Sequence, residues 1–184
     1  MAHLIDSMAY TGQTPWHSLG NVLPPQQSLD VWLQAAGMDW TIEQSDVLYQ
    51  GSSDLHTYPD SKVLYRSDTL APLLVVSQRY KVVQPHEVLH FYQDLVEAGG
   101  FELETVGSLK GGRKLWALAK TGQDLMLKGG DLVKSYLLLA TSCDGTLCTT
   151  AQFTSVRVVC NNTLQVAVGN QTGAIKVPHS TQFD

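Results

Sequence analysis

The first 61 residues of this 184-residue chain contain no lysine and no arginine, only seven acids: Asp6, Asp30, Asp39, Glu43, Asp46, Asp54 and Asp60. A secretory leader needs cations before its first apolar run, so the start does not read as one. Charged residues of either sign are scarce, 16% of the chain against about 25% in ordinary soluble proteins. Cysteine is scarce too: three, an odd number that fits a reducing compartment better than a disulfide framework. No run is apolar enough to span a bilayer, since the longest charge-free stretch, Ser7 to Leu29, is broken by Pro15, Pro24 and Pro25. A phosphate-cradling glycine loop of the Walker or dinucleotide type is absent, and no Ser, Cys or His stands in a recognised nucleophile context. These absences exclude a disulfide scaffold, a helical membrane protein and a nucleotide-loop enzyme. With a hydrophobic fraction of 43%, the chain reads as a globular protein of the cytoplasm.

All 12 cations fall in residues 62–184, against ten acids there. The expected organisation is one domain, 1–184, in which an acidic N-terminal arm or subdomain (1–61) joins a mildly basic antiparallel core (62–184). Fourteen glutamines and few charges leave a neutral surface, which is tolerated more easily when a partner or self-association covers part of it.

Residues 1–27 read as an ordered arm or loop punctuated by Gly12, Pro15, Gly20, Pro24 and Pro25, with Trp16 as its anchor. Ser28 caps a short helix that buries Leu29, Trp32, Leu33 and Ala36 and closes at Gly37. Alternation at Trp40 and Ile42, then Val47 to Tyr49, predicts strand, and Gly51 to Asp60 a loop before a return strand over Val63 to Tyr65. Leu73 to Val76 reads as a buried strand. Pro85 opens a helix carrying Val88, Leu89, Tyr92, Leu95 and Val96, which stops at Gly99-Gly100. The second half reads as hairpins: Phe101 to Gly107 with Leu115 to Ala119 across a turn at Lys110 to Lys114, and Val133 to Ser142 with Leu147 to Val159 across Asp144-Gly145. Leu164 to Val168 is a short helix or strand, and Ile175 to Val177 a final strand. The expected fold is α+β, a curved antiparallel sheet built from hairpins with a few short helices packed on it.

Three groups carry candidate chemistry. His86-Glu87-Val88-Leu89-His90 fits the zinc-peptidase spacing, which places both imidazoles on one helix face with Glu87 as base. Against a metal site, Pro85 puts the motif in a first turn, and a third ligand would have to be Glu97, Glu102 or Glu104. Cys143 and Cys148 flank a turn and face each other if Gly145-Thr146 are its centre; with Cys160 they suggest a metal only weakly, and free buried thiols are the simpler reading. Lys110-Gly111-Gly112-Arg113-Lys114, followed by Trp116, reads as a basic hairpin tip whose glycines admit a phosphate backbone. Arg66, Arg79, Lys81 and Arg157 extend it, and Tyr65, Tyr80 and Trp116 offer faces for base stacking.

The segments Thr14-Pro15-Trp16-His17-Ser18-Leu19-Gly20, Ala36-Gly37-Met38-Asp39-Trp40, Ser77 to Pro85, Val156-Arg157-Val158-Val159-Cys160-Asn161-Asn162-Thr163-Leu164 and Ile175 to Ser180 together resemble the phage/plasmid-like proteins. These are a bacterial mobile-element family defined as a domain of unknown function, family 932. The resemblance runs from about Pro15 to His179 and implies an accessory protein of a phage or plasmid in a bacterial cytoplasm, encoded beside genes for DNA handling and defence evasion. It further implies either a short member or a missing C-terminal part, with His179-Ser180-Thr181 leading into another helix.

Three functions stand in order. The first is a non-catalytic protein that binds single-stranded DNA, as an annealing or replication accessory that forms homo-oligomers. Arg79, Lys81, Lys110, Arg113, Lys114 and Arg157 would hold phosphates, while Tyr80 and Trp116 stack bases. The second is an anti-defence protein that binds a host immune or recombination complex through the acidic third, at Asp39, Glu43 and Asp46. The third is a zinc hydrolase through His86 and His90. No cofactor and no membrane contact are expected.

Overall fold

The computed structural model describes residues 4–169 and 174–177. The segment His179-Ser180-Thr181 lies outside them. The elements in chain order are β1 (Ile5–Tyr10), β2 (Asn21–Val22), α1 (Leu29–Ala35), β3 (Ile42–Gln50), β4 (Leu55–Arg66), β5 (Pro72–Ser77), α2 (Pro85–Gly99), β6 (Glu102–Leu109), β7 (Lys114–Lys120), β8 (Leu125–Met126), β9 (Leu132–Val133), β10 (Tyr136–Ser142), β11 (Thr149–Thr154), α3 (Asn161–Gly169) and β12 (Ile175–Val177). The fold is α+β, as the hairpin pattern implies. A seven-stranded sheet runs β12-β11-β10-β7-β6-β1-β2, antiparallel except at the short β1–β2 pair; β3-β4-β5 form a second sheet and β8-β9 a small ribbon.

The main sheet is covered on both faces, which explains why β7 (Leu115 to Ala119) and β10 (Tyr136 to Ala140) are continuously apolar rather than alternating. Leu115, Ala117, Ala119, Leu137 and Leu139 face a core shared with Trp32 and Leu33 of α1 and Val88, Leu89, Tyr92 and Val96 of α2. Trp116, Leu118, Leu138 and Ala140 face a second core with Val158, Val159, and Leu164 and Ala167 of α3. Pro85 opens α2 and Gly100, at φ +65°, ends it, because the left-handed cap costs glycine no Cβ clash. Leu95 faces outward at 37% exposure. The Gln84 side chain accepts from Ile42 N–H (2.8 Å) and donates to Ile42 O (3.0 Å), which ties the start of α2 to the second sheet.

Four expectations need correction. The first 27 residues supply β1, which lies inside the main sheet beside β6 and buries Met8, Ala9 and Tyr10, whereas Trp16 is 69% exposed, its ring edge to face with His17 at 5.3 Å. A two-face-buried strand of six residues, Ile-Asp-Ser-Met-Ala-Tyr, has too little alternation to announce itself. The loop at Gly51 to Asp60 shrinks to a tight turn: Leu55 already pairs with Gln50, and Pro59 is accommodated where the β3–β4 register shifts between Asp46 and Val47. Leu73 and Val76 are buried but Val75 between them is 55% exposed, because β5 is an edge with one open face. The Asp144-Gly145 turn is wider than a two-residue hairpin. The Ser142 hydroxyl exchanges bonds with the Leu147 backbone, and Asp144 Oδ1 accepts from Thr146 N–H (3.1 Å).

Candidate nucleic-acid interface

The β6–β7 hairpin sets the basic tip at one end of the main sheet. Leu109 pairs with Lys114, leaving Lys110, Gly111, Gly112 and Arg113 to turn the chain. Lys110 takes φ +55°, and its N–H donates to Leu4 O (2.8 Å). Gly111 is open to solvent, but Gly112 is buried: a Cβ there would sit 2.7 Å from Trp40 Cζ2 and 3.2 Å from Arg66 Nη1. Gly112 thus serves close packing rather than approach to a phosphate.

Beneath it lies a packed cation. Arg66, 7% exposed, donates from Nε and Nη2 to Asp68 (2.9 and 2.7 Å) and from Nη1 to Asp6 (2.5 Å), and stands 4.4 Å over the Trp40 ring. Its donors are committed, so Arg66 does not extend the binding surface. The guanidinium beside Asp68 holds that carboxyl below the usual range. Tyr65 faces the other side of its strand and hydrogen-bonds Glu43, which raises the phenol's pKa.

Arg113 O accepts from Cys143 N–H (2.8 Å), which joins the tip to the turn after β10. The segment after β5 reaches the same turn: Tyr80 is half-buried, its phenol pushed up to about 12 first by burial and then by Cys143 and Asp144. Arg79 and Lys81, both exposed, flank it. The fold therefore gathers Arg79, Tyr80, Lys81, Lys110, Arg113 and Lys114 at one end. Among the described residues Arg79, Lys110, Arg113 and Lys114 form no ion pair.

Two expected members fail. Trp116 is 1% exposed inside the second core, with Nε1 donating to Thr105 Oγ1 (3.1 Å), so no base reaches its face. Strand alternation put it on a face that the Val156 to Leu164 segment covers. Arg157 lies at the opposite end of the sheet, where it donates to Glu104 Oε1 (2.5 Å) and Gln13 O (2.6 Å). Lys110 lies six residue steps beyond Glu104 along β6 and its turn, about 20 Å at ~3.4 Å per step.

The zinc spacing is likewise spent on the fold. Glu87 Oε2 accepts from Gln84 N–H (2.9 Å) and caps α2, while the exposed His86 and His90 rings stand 6.5 Å apart edge to face. Glu104 is taken by Arg157 and Lys120, and no group of three His, Cys, Asp or Glu among the described residues is arranged to hold a metal ion. The three thiols are also apart in environment: Cys143 and Cys160 are buried and Cys148 exposed. Burial, then Asp144, pushes Cys143 up to about 12. Ellman's reagent at pH 8 is expected to label one thiol per folded chain rapidly and three after denaturation; a second fast thiol would contradict the burial of Cys143 or of Cys160. The acids proposed as one face are dispersed too. Glu43 and Asp46 are three apart on β3 and so point to opposite sides, Asp46 opposite Lys62, and Asp39 lies outside the strand.

Sequence reasoning missed how the quoted segments meet. His17 Nδ1 accepts from Leu19 N–H (3.0 Å), which leaves the proton on Nε2 to donate to Val159 O (2.9 Å). Thr105 Oγ1 donates to Val158 O (2.8 Å), and Thr163 Oγ1 accepts from Val159 and Cys160 N–H (3.0 Å each). The Val156 to Leu164 segment is thus a structural clasp between β1's exit loop, β6 and α3. Its only outward clue in the sequence was its polar content beside a buried Cys-Val run.

No curated protein and no solved structure matches the chain. A family model matches residues 72–184, from the start of β5 to the last residue, so the Thr14 to Gly20 and Ala36 to Trp40 segments precede the matched region. The chain belongs to the family described as Domain of unknown function (DUF932).

Proposed function

We propose that this protein is a non-catalytic accessory of a phage or plasmid that binds the phosphate backbone of single-stranded DNA through the basic hairpin tip. The observation that carries this reading is the group of four cations, Arg79, Lys110, Arg113 and Lys114, at one end of the sheet without ion-pair partners among the described residues. Surface cations left uncompensated on a chain of net charge −5 mark a local site for polyanion rather than a general charge excess. With Trp116 buried, Tyr80 half-buried and Tyr65 hydrogen-bonded to Glu43, contact is to phosphate and independent of sequence.

The test is fluorescence anisotropy of a labelled single-stranded oligonucleotide across a salt series. Each phosphate neutralised contributes about 0.7 to the slope of log K against log salt for single strands. Replacing Lys110, Arg113 and Lys114 by alanine is expected to lower that slope by about 2, at ~0.7 per cation, and to weaken low-salt binding more than tenfold. Equal slopes for the two proteins would overturn the assignment.

A further inference from the structure

Between β7 and β10 the chain leaves the main sheet at Lys120 and rejoins it at Tyr136, and the β8–β9 ribbon forms on the way. Its large apolar side chains face solvent: Leu125 is 65% exposed, Met126 68%, Leu127 52% and Leu132 55%. Leu125 and Leu127 stand on one face of the strand and Met126 on the other, so both faces are apolar. A two-stranded ribbon is marginal in water by itself, and apolar exposure of this density marks a contact surface.

The backbone tells which edge is open. Leu127 N–H donates to Asp131 O (2.9 Å), so the polar groups of Leu127 point toward β9. Directions alternate along a strand, and the N–H and carbonyl of Met126 therefore point away from β9. Among the described residues no strand pairs with that edge. About Met126 the sequence Asp124-Leu125-Met126-Leu127-Lys128 is complementary to its own reverse. Laid antiparallel on a second copy with Met126 opposite Met126, each Leu125 meets a Leu127 and each Asp124 a Lys128. Asp124 Oδ1 accepts from Ser135 N–H (3.3 Å), and neither Asp124 nor Lys128 forms an ion pair among the described residues. We infer that two copies of this chain join edge to edge through β8, antiparallel about a two-fold axis at Met126, as a four-stranded sheet.

A two-fold contact has to be self-complementary, and here charge, apolar pairing and hydrogen-bond phase all centre on one residue. An axis at Leu125 or Leu127 would oppose backbone groups already turned toward β9, whereas at Met126 each N–H meets the other copy's carbonyl. Pairing also lifts the ribbon from two strands to four, past the point where a small sheet holds in water. The site lies at the Lys120 end of β7, and the basic tip begins at the Lys114 end. Dimerisation through β8 therefore leaves Lys110 to Lys114 uncovered in both copies. A contact this short gives a weak, reversible dimer.

This inference does not rest on the DNA-binding reading, and its test contains no DNA. Sedimentation velocity of the full chain at low salt, up to hundreds of micromolar, is expected to show monomer and dimer in exchange. Lys128→Asp sets acid against acid at both ends of the pairing and should weaken the dimer about tenfold; Asp124→Lys should do the same with cations. An equimolar mixture of these two variants restores opposite charges at both ends, and should give a heterodimer of wild-type strength. Met126→Pro removes an N–H that the β8–β9 ladder does not use, and should abolish dimerisation with unchanged far-ultraviolet circular dichroism. A wild type monomeric throughout, single variants that dimerise as the wild type does, or a mixture that stays monomeric would each overturn the inference.

Discussion

Replacing Arg157 by alanine is expected to lower the unfolding free energy by about 3 kcal/mol while leaving the salt slope of the proposed DNA binding unchanged. Glu104 is 2% exposed and held by Arg157 at 2.5 Å, with Lys120 at 3.3 Å as its second cation. Removing one partner of a buried pair strands the other charge without water, at a cost of about 3–5 kcal/mol. Lys120 remains, so the lower end applies. Arg157 also clasps Gln13 O, and its loss frees the loop that follows β1. Urea denaturation measures the first quantity and the anisotropy series the second. Replacing Glu104 and Arg157 together by methionine should recover most of the stability, since well-packed apolar residues substitute for a buried ion pair at little cost. A change in salt slope without a change in stability would mean instead that Arg157 is a phosphate contact.

The second large effect is at Arg66. Methionine there should cost about 2–3 kcal/mol, between an exposed pair and a fully buried one, because Asp6 and Asp68 keep partial access to water once released. The pH profile separates this electrostatic part from lost packing on Trp40. Asp68 has a depressed pKa in the folded protein, chiefly through its bonds to Arg66. A depressed carboxylate contributes stability above its unfolded value of about 4, lost as pH falls through the lower folded value. Wild-type stability should therefore decline below about pH 4, and Arg66→Met should show a smaller decline over the same range. A parallel profile for the two proteins would show that Arg66 acts through packing alone.

These two arginines also show what was legible beforehand. Each was read as surface cation, and a single arginine gives no sign of whether an acid waits for it 60 or 53 residues away. The same blindness affected Trp116: alternation placed it on one face of β7, but whether that face meets water depends on where the chain after β11 returns. His86, Glu87 and His90 matched a catalytic spacing, and only Pro85 warned that the first turn would use Glu87 for its own unpaired N–H groups.

What the sequence by itself determined were features governed by neighbours a few residues apart. The bounds of α1 and α2 follow from Pro85, Gly37 and Gly100, the hairpin from Lys110 to Lys114, and the α+β class from alternation and turns. The absence of cations before Lys62 is also a property of the sequence alone. The tertiary structure decided everything that depends on distant partners: β1 inside the sheet, the burial of Trp116 and Gly112, the neutralisation of Arg66 and Arg157, and the gathering of Arg79 with Lys110 and Arg113. The physical reason is that a local preference fixes φ, ψ and facing direction. Exposure and charge compensation are set by whichever remote surface packs there, and that is a property of the whole folded chain.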